Sequence, residues 1–270
     1  MTSVLETSSS KDKTASPVPL SCPTPPEIDY EGLQIDRLFE YDAYLRAHEH
    51  EIRRRYAHFR QVLRAIERDE GGLEKFARSY ERFGIHVRGD NSVYCLEWAP
   101  GAKGLYLKGD FNNWDSVSHA YKSVGFGKWE LTIPSRPDGS CAIPHLSKMR
   151  LSVLCANGEL VDRNSPWANY VVQNLKVSPI YNQVFWNPTT KYKFRNSKPV
   201  RPESLRIYEC HVGIASPEYH VSTYDHFRLN VLPIIKRQGY NAIQLMAVME
   251  HAYYASFGYQ VTSFFAPSSR

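Results

Sequence analysis

Sugar rings present flat C–H faces that pack on aromatic rings, while their hydroxyls pair with short polar side chains. All five tryptophans of the chain, Trp98, Trp114, Trp129, Trp167 and Trp186, fall in one β-rich stretch, beside Asn, Asp and Lys. Taken singly, each reads first as filler of a sheet-on-sheet core; taken together, at least one reads as a sugar platform. Two other groups have chemistry-bearing types. Glu250 and His251 are adjacent, and with no third ligand they make a poor metal site, so Glu250 reads as hydrogen-bonding support. The run Arg53-Arg54-Arg55 is a cationic cluster, which the mixed charges around it make a solvated helix face rather than a nucleic-acid patch.

Composition bounds what these residues serve. The chain has 270 residues, 42% of them hydrophobic, and a formal charge of +5. That is room for more than one domain, and weak attraction for nucleic acid or membrane. No apolar run approaches the roughly 18 residues of a membrane span, and the first thirty residues lack an apolar signal core. Cys22, Cys95, Cys141, Cys155 and Cys210 are odd in number, five, and scattered. This is the usage of a reducing compartment, and it predicts a cytoplasmic protein without disulfides, metal or cofactor.

The elements that must position the aromatic residues follow in order. Residues 1–27, rich in Ser, Thr and Pro, read as disordered. Residues 28–83 read as a helical segment: Ile52, Tyr56, Phe59, Leu63 and Ile66 form one stripe, closed by Gly71-Gly72. A second helix is expected to carry Leu73, Phe76, Tyr80 and Phe83 on one face. Residues 84–190 hold short β-rich runs at roughly ten-residue spacing, the pattern of an Ig-like β-sandwich. The runs are IHVRG, SVYCLEWAP, GLYLKGDF, GKWELTIP, MRLSVLCANGELV and VFWNP, with Asn157-Gly158 as a type I′ hairpin signal. Residues 191–203 are polar and proline-bearing, a linker. From 204 to 270 the period turns βαβ: a strand at Leu205–Glu209, a helix through Val231, Leu232 and Ile235 to Gly239, and an apolar strand Ile243–Met249. A (β/α)8 TIM barrel needs roughly 250 residues, so this stretch reads as the incomplete start of one, with exposed apolar edges that fray.

Six runs carry a resemblance. Glu97-Trp98-Ala99-Pro100-Gly101-Ala102, Gly109-Asp110-Phe111-Asn112-Asn113-Trp114 and Gly127-Lys128-Trp129-Glu130 resemble the family 48 carbohydrate-binding module. Leu205–Gly213, Gly239–Met246 and Glu250–Phe265 resemble the opening of the barrel in eukaryotic 1,4-α-glucan branching enzymes. The likeness spans about residues 30 to 270. It implies a retaining glycosyltransferase of glycogen biosynthesis, a monomer whose partner is an α-1,4-glucan or glycogen. It also implies an oligosaccharide surface at Asp69-Glu70, the Trp98-Ala99-Pro100 turn and the Gly125-Phe126-Gly127-Lys128 loop. Phe126 stands where such enzymes have tyrosine, which keeps a stacking face and drops a hydroxyl. Tyr259 is similar to the aromatic that stacks at the cleavage subsite. A retaining mechanism needs paired carboxylates roughly 5 to 5.5 Å apart. The motifs that hold them in this family do not occur here, so no catalytic residue is assigned and the chain as it stands is expected to be inactive. The alternative is a non-catalytic glucan-binding protein, or a regulatory subunit that senses glycogen. Neither needs residues 204–270, which favours the enzyme lineage.

Overall fold

The computed structural model describes residues 32–269, so the expectation for residues 1–27 lies outside the described residues. The chain divides into two compact units, Met1–Phe76 and Ala77–Arg270.

The first unit is helical. Its α1 (Ile35–Tyr41) buries Ile35 and Phe39, and α2 (Glu49–Glu70) carries the apolar stripe foreseen for it. Gly71 closes α2 at φ 77° with its N–H on the Ile66 carbonyl, a left-handed cap that glycine enters without strain. Arg53 and Arg54 pair with Glu49 and Glu51 on the same helix, as a solvated face of mixed charge does. The second helix differs from expectation. It is only α3 (Leu73–Ala77), followed by a 3-10 turn at Ser79–Glu81. Phe83 leaves it to pack flat on Trp167, ring centres 4.4 Å apart, at the start of the β region. A stacked aromatic pair outweighs one more helical turn whose other face would be bare.

The second unit begins with two antiparallel sheets. One has the order β1 (Gly84–Val87), β2 (Val93–Trp98), β5 (Lys128–Ile133), β4 (Lys122–Ser123). The other has the order β3 (Gly104–Gly109), β6 (Lys148–Leu154), β9 (Ser178–Val184), β8 (Val171–Asn174), with β7 (Leu160–Arg163) pairing the Leu151–Leu154 part of β6 that β9 leaves open. Between them lies a core of Val93, Cys95, Leu105, Leu107, Met149 and Leu151, among others, supplied by alternate residues of both sheets. Two expectations need correction here. VFWNP is not a strand: β9 ends at Val184, and Phe185–Pro188 are irregular, although Phe185 still bonds the backbone of Leu146 and Ser147 and sits in the core. The Asn157-Gly158 hairpin forms, but only Gly158 has positive φ (84°), so the turn is not type I′. The Gly158 N–H meets the Cys155 carbonyl and the Asn157 Oδ1 takes the Glu159 N–H, closing a type I turn before a left-handed glycine.

Beyond an irregular strap at 185–206 comes β10 (Ile207–His211), which pairs in parallel with β11 (Ala242–Met246). The crossover holds α4 (Tyr224–His226), a π-helical turn at Phe227–Val231 and α5 (Leu232–Arg237). The expected strand Ile243–Met249 is broken. Ala247, at φ 56°, ends β11 and turns the chain into β12 (Met249–His251), which pairs antiparallel with β13 (Val261–Pro267). The cause is the Phe257-Gly258 loop, which closes so tightly on Ala247 that a Cβ on Gly258 would overlap the Ala247 side chain. Among the described residues, no helix is long and apolar enough to cross a membrane.

Candidate functional site: an aromatic platform at one end of the sandwich

Alternation along β2 turns Val93, Cys95 and Glu97 to one face, into the core; on the other face Leu96 is also covered, and Trp98 is left 55% exposed at the strand's end. Opposite it, β5 turns Trp129, Leu131 and Ile133 to the core and Lys128 outward, and the register pairs Trp98 with Lys128 and Glu97 with Trp129. The Gly125–Lys128 loop therefore folds back over the Trp98-Ala99-Pro100 turn. The Ala99 N–H bonds the Gly127 carbonyl at 2.8 Å, and the Lys128 N–H bonds the Gly125 carbonyl at 2.9 Å.

Three consecutive residues of that loop have positive φ: Gly125 at 88°, Phe126 at 52° and Gly127 at 72°. Only the middle one bears a side chain, and the turn lifts it clear, 71% exposed. At Gly127 a Cβ would stand 2.6 Å from the Pro100 Cβ, so the close approach of the two loops requires glycine. Both indoles of the site are pinned by their N–H groups. Trp98 donates to the Phe126 carbonyl at 3.1 Å, and Trp129 donates to the Ala99 carbonyl at 2.9 Å. Lys128 Nζ lies 5.8 Å from the Phe126 ring centre. The result is a pair of exposed rings, Trp98 and Phe126, whose positions are set by backbone hydrogen bonds before any ligand arrives.

The inward carboxyl is the cost of that geometry. Glu97 is 1% exposed, and its Oε1 has no hydrogen-bond partner. Burial pushes its pKa from 4.5 to about 8, against a smaller opposing effect of a Ser165 hydrogen bond, so at neutral pH it is held as the neutral acid. Burial likewise pushes the neighbouring Cys95 thiol up to about 12 and the Tyr121 phenol well above its ordinary range. The polar core beneath the platform is thus uncharged.

Of the residues foreseen from sequence, the structure brings together Trp98, Ala99, Pro100, Gly125, Phe126, Gly127 and Lys128. Asp69 and Glu70 belong to the other unit, in the last turn of α2, where the Asp69 carboxylate takes two 2.8 Å hydrogen bonds from Arg68 that hold its pKa below the usual range. Tyr259 is on the loop joining β12 to β13, 79% exposed. Glu250 and His251 are buried, and no site opens there. The Glu250 carboxylate accepts hydrogen bonds from Tyr181, Ser269 and the His251 N–H, while His251 Nδ1 lies 2.9 Å from the Met249 carbonyl. The reading of single tryptophans as core fillers holds for Trp129, which packs against the core, and fails for the three exposed ones. Trp98, Trp114 and Trp186 are exposed, and Trp129 and Trp167 are half-buried. The Asp110–Trp114 run is a structural corner: Asn112 spans from the Gly109 N–H to the Leu107 carbonyl, and Asp110 holds both the Trp114 indole and the Lys148 N–H. Sequence reasoning missed Trp129 as the brace of the platform, although its place opposite Glu97 follows from the alternation of β5.

Comparison with known proteins adds the following. Residues 82–168 match the model of "Carbohydrate-binding module 48 (Isoamylase N-terminal domain)". The 1,4-alpha-glucan-branching enzyme of Equus caballus is 52% identical over 87% of this chain and 34% of its own length, and that of Aspergillus oryzae is 52% identical over 86% and 34%. The chain spans about a third of the length of these curated relatives. Among solved structures, GBS pullulanase SAP in complex with maltotetraose aligns over 69% of this chain and 28% of its own, at 17% identity and a TM-score of 0.52. A putative alpha amylase from Salmonella typhimurium aligns over 69% and 28%, at 20% identity and 0.51, and both share the fold. Over most of its length, then, the chain is similar at about half identity to 1,4-alpha-glucan-branching enzymes, and residues 82–168, most of its sandwich, match the model of the family 48 carbohydrate-binding module.

Proposed function

We propose that this chain binds linear α-1,4-glucan on the Trp98–Phe126 platform and is the glucan-gathering part of a cytoplasmic 1,4-alpha-glucan-branching enzyme. The observation that carries the reading is the pinned, exposed pair of rings inside a stretch that matches a carbohydrate-binding module. Two preset rings bind a flexible sugar chain with little ordering cost on the protein side, which leaves more of the contact energy for affinity. Trp98 and Phe126 offer faces for the C–H sides of successive glucoses, and Lys128 offers a donor to a hydroxyl. The likeness to branching enzymes supports the reaction class, in which an α-1,4 segment is cut and rejoined as an α-1,6 branch with retention. It also supports reading β10, the crossover helices and β11 as the first part of a (β/α)8 barrel, a reading the parallel β10–β11 register favours. Asp69, Glu70 and Tyr259 are proposed as further glucan contacts of the assembled enzyme. The free thiols of Cys95, Cys141, Cys155 and Cys210 suit the cytoplasm.

Affinity electrophoresis in gels containing glycogen tests the platform. The chain migrates more slowly than in a glucan-free gel, and Trp98→Ala loses most of that retardation, the stacking being worth roughly 0.5–1.5 kcal/mol beyond area burial. Equal migration of the wild-type chain in both gels would refute the reading.

A further inference from the structure

A second aromatic groove lies at the end of β9, where the chain leaves the sandwich. The cleft there encloses about 370 Å³ and is lined by the rings of Trp167, Trp186 and Tyr192 and the carboxamides of Asn169, Gln183 and Asn187. None of these residues belongs to the Trp98–Phe126 platform.

The cleft is built and held. The Trp186 ring stands nearly perpendicular to His145, at 4.9 Å and 73°, and to Tyr170, at 5.4 Å and 81°. The Asn187 N–H bonds His145 Nδ1 at 3.1 Å, which fixes the backbone beside it. These contacts hold the ring in place while leaving Trp186 58% exposed. Trp167 is backed by Phe83, stacked at 4.4 Å and 15°. Gln183 is 5% exposed, and its Oε1 accepts the Ser165 N–H at 3.2 Å, so its carboxamide has one orientation. The groove continues along the strap, where two adjoining hollows share Tyr192 and Arg195 and reach Phe194 and Arg228. Tyr192 and Phe194 stand at 5.3 Å and 84° to one another.

Rings in sequence along a groove, with carboxamides at one end and cationic donors at the other, describe the needs of one ligand class. A sugar hydroxyl both donates and accepts, and the carboxamides of Asn169 and Asn187 each offer both partners from one group, the Gln183 oxygen being taken by Ser165. A sugar's C–H face needs a ring, and a chain of sugars needs rings in succession. The cations of the strap, Lys191, Lys193 and Arg195, and the carboxamides would serve a phosphate backbone as well; the match of residues 82–168 to a carbohydrate-binding module is what favours a sugar. From this geometry we infer that the Trp186–Tyr192 groove is a second binding site for a linear α-glucan, separate from the Trp98–Phe126 platform. It lets one chain hold two glucan segments at once, which raises retention on a branched polymer through the high effective concentration of the second segment. The inference rests on the glucan reading of the protein proposed above.

Titration calorimetry of the 270-residue chain with maltoheptaose tests it, alongside Trp98→Ala, Trp186→Ala, Tyr192→Ala and the Trp98→Ala/Trp186→Ala pair. The wild type is expected to bind two maltoheptaose molecules. Trp98→Ala and Trp186→Ala each leave one, and the double variant leaves none. Tyr192 is 79% exposed, so Tyr192→Ala is expected to stay folded and to weaken one of the two sites about tenfold, the loss of one ring contact. One wild-type site that Trp98→Ala abolishes and the Trp186 and Tyr192 variants leave intact would overturn the second groove and keep the proposed function. Two sites unaffected by Trp186→Ala and Tyr192→Ala would overturn it as well. No binding by the wild type would overturn both.

Discussion

Replacing Glu97 with glutamine should stabilise the sandwich, and the gain should grow with pH. In the fold the Glu97 carboxyl titrates near 8 because burial penalises its charge, whereas its ordinary value is 4.5. Between those two values the unfolded chain has released the proton and the folded chain has kept it. The folded state then binds more protons, so wild-type stability falls as pH rises through this window. Each pH unit costs about 1.4 kcal/mol, which accumulates to about 3 kcal/mol at pH 7 and about 4 at pH 8, where the folded carboxyl itself begins to ionise. Glutamine has nearly the same shape and cannot ionise, so its stability carries none of this slope. At pH 4.5 and below the two proteins should differ only by the exchange of a hydroxyl for an amide, about 1 kcal/mol in either direction. All five tryptophans lie in or beside the sandwich, so urea unfolding followed by tryptophan fluorescence reports on this unit and not on the helical one. The expected result is a difference between variant and wild type that widens by about 1.4 kcal/mol per pH unit from 4.5 to 8. Parallel stability curves over that range would refute the reasoning, since they would mean that Glu97 is charged in the fold.

Gly127→Ala should loosen the platform: its Cβ would fall 2.6 Å from the Pro100 Cβ at a φ of 72°, and the strain, about 1–3 kcal/mol, should appear as a lower urea midpoint together with weaker glucan retardation. Gly125→Ala, whose added Cβ meets nothing within 4 Å, should cost less at a similar φ of 88°. The 270-residue chain should leave the blue iodine complex of amylose unchanged; Glu250 is buried in hydrogen bonds and Asp225 is paired with Arg228, so loss of colour above a heat-killed control would reveal an acid pair elsewhere in the chain. Brief trypsin treatment should cut the exposed strap after Lys191, Lys193 or Arg195 and spare Lys198 and Arg201, which precede prolines, as mass spectrometry of the products would show. Saturating maltoheptaose should slow those cuts.

Much of the architecture was written in local periodicity. Period two marks β1, β2, β3, β5 and β6 within a residue or two of their ends, and the 3.6-residue stripe with Gly71 behind it marks α2, because each signal arises from neighbours in the chain. The platform motifs were legible for the same reason: Trp98-Ala99-Pro100 and Gly125–Lys128 are short runs whose composition states the turns they make. What pairing decides was not legible. The two-residue β4 and the short β8 exist only because longer strands offer them open edges, and the break at Ala247 exists because a loop ten residues later closes on it. A tryptophan's burial is likewise a property of what faces it. Trp98, Trp114 and Trp186 stand outside because Val93, Leu105, Leu107, Met149 and Leu151, with Trp129 against them, already fill the space between the sheets. Residue types and spacing determined that strands, turns and exposed-capable aromatics would be here. Only the packing of one sheet on the other decided that Glu97 would be sealed inside while Trp98 faces the solvent, since alternation puts the two on opposite faces of the strand without saying which face is covered.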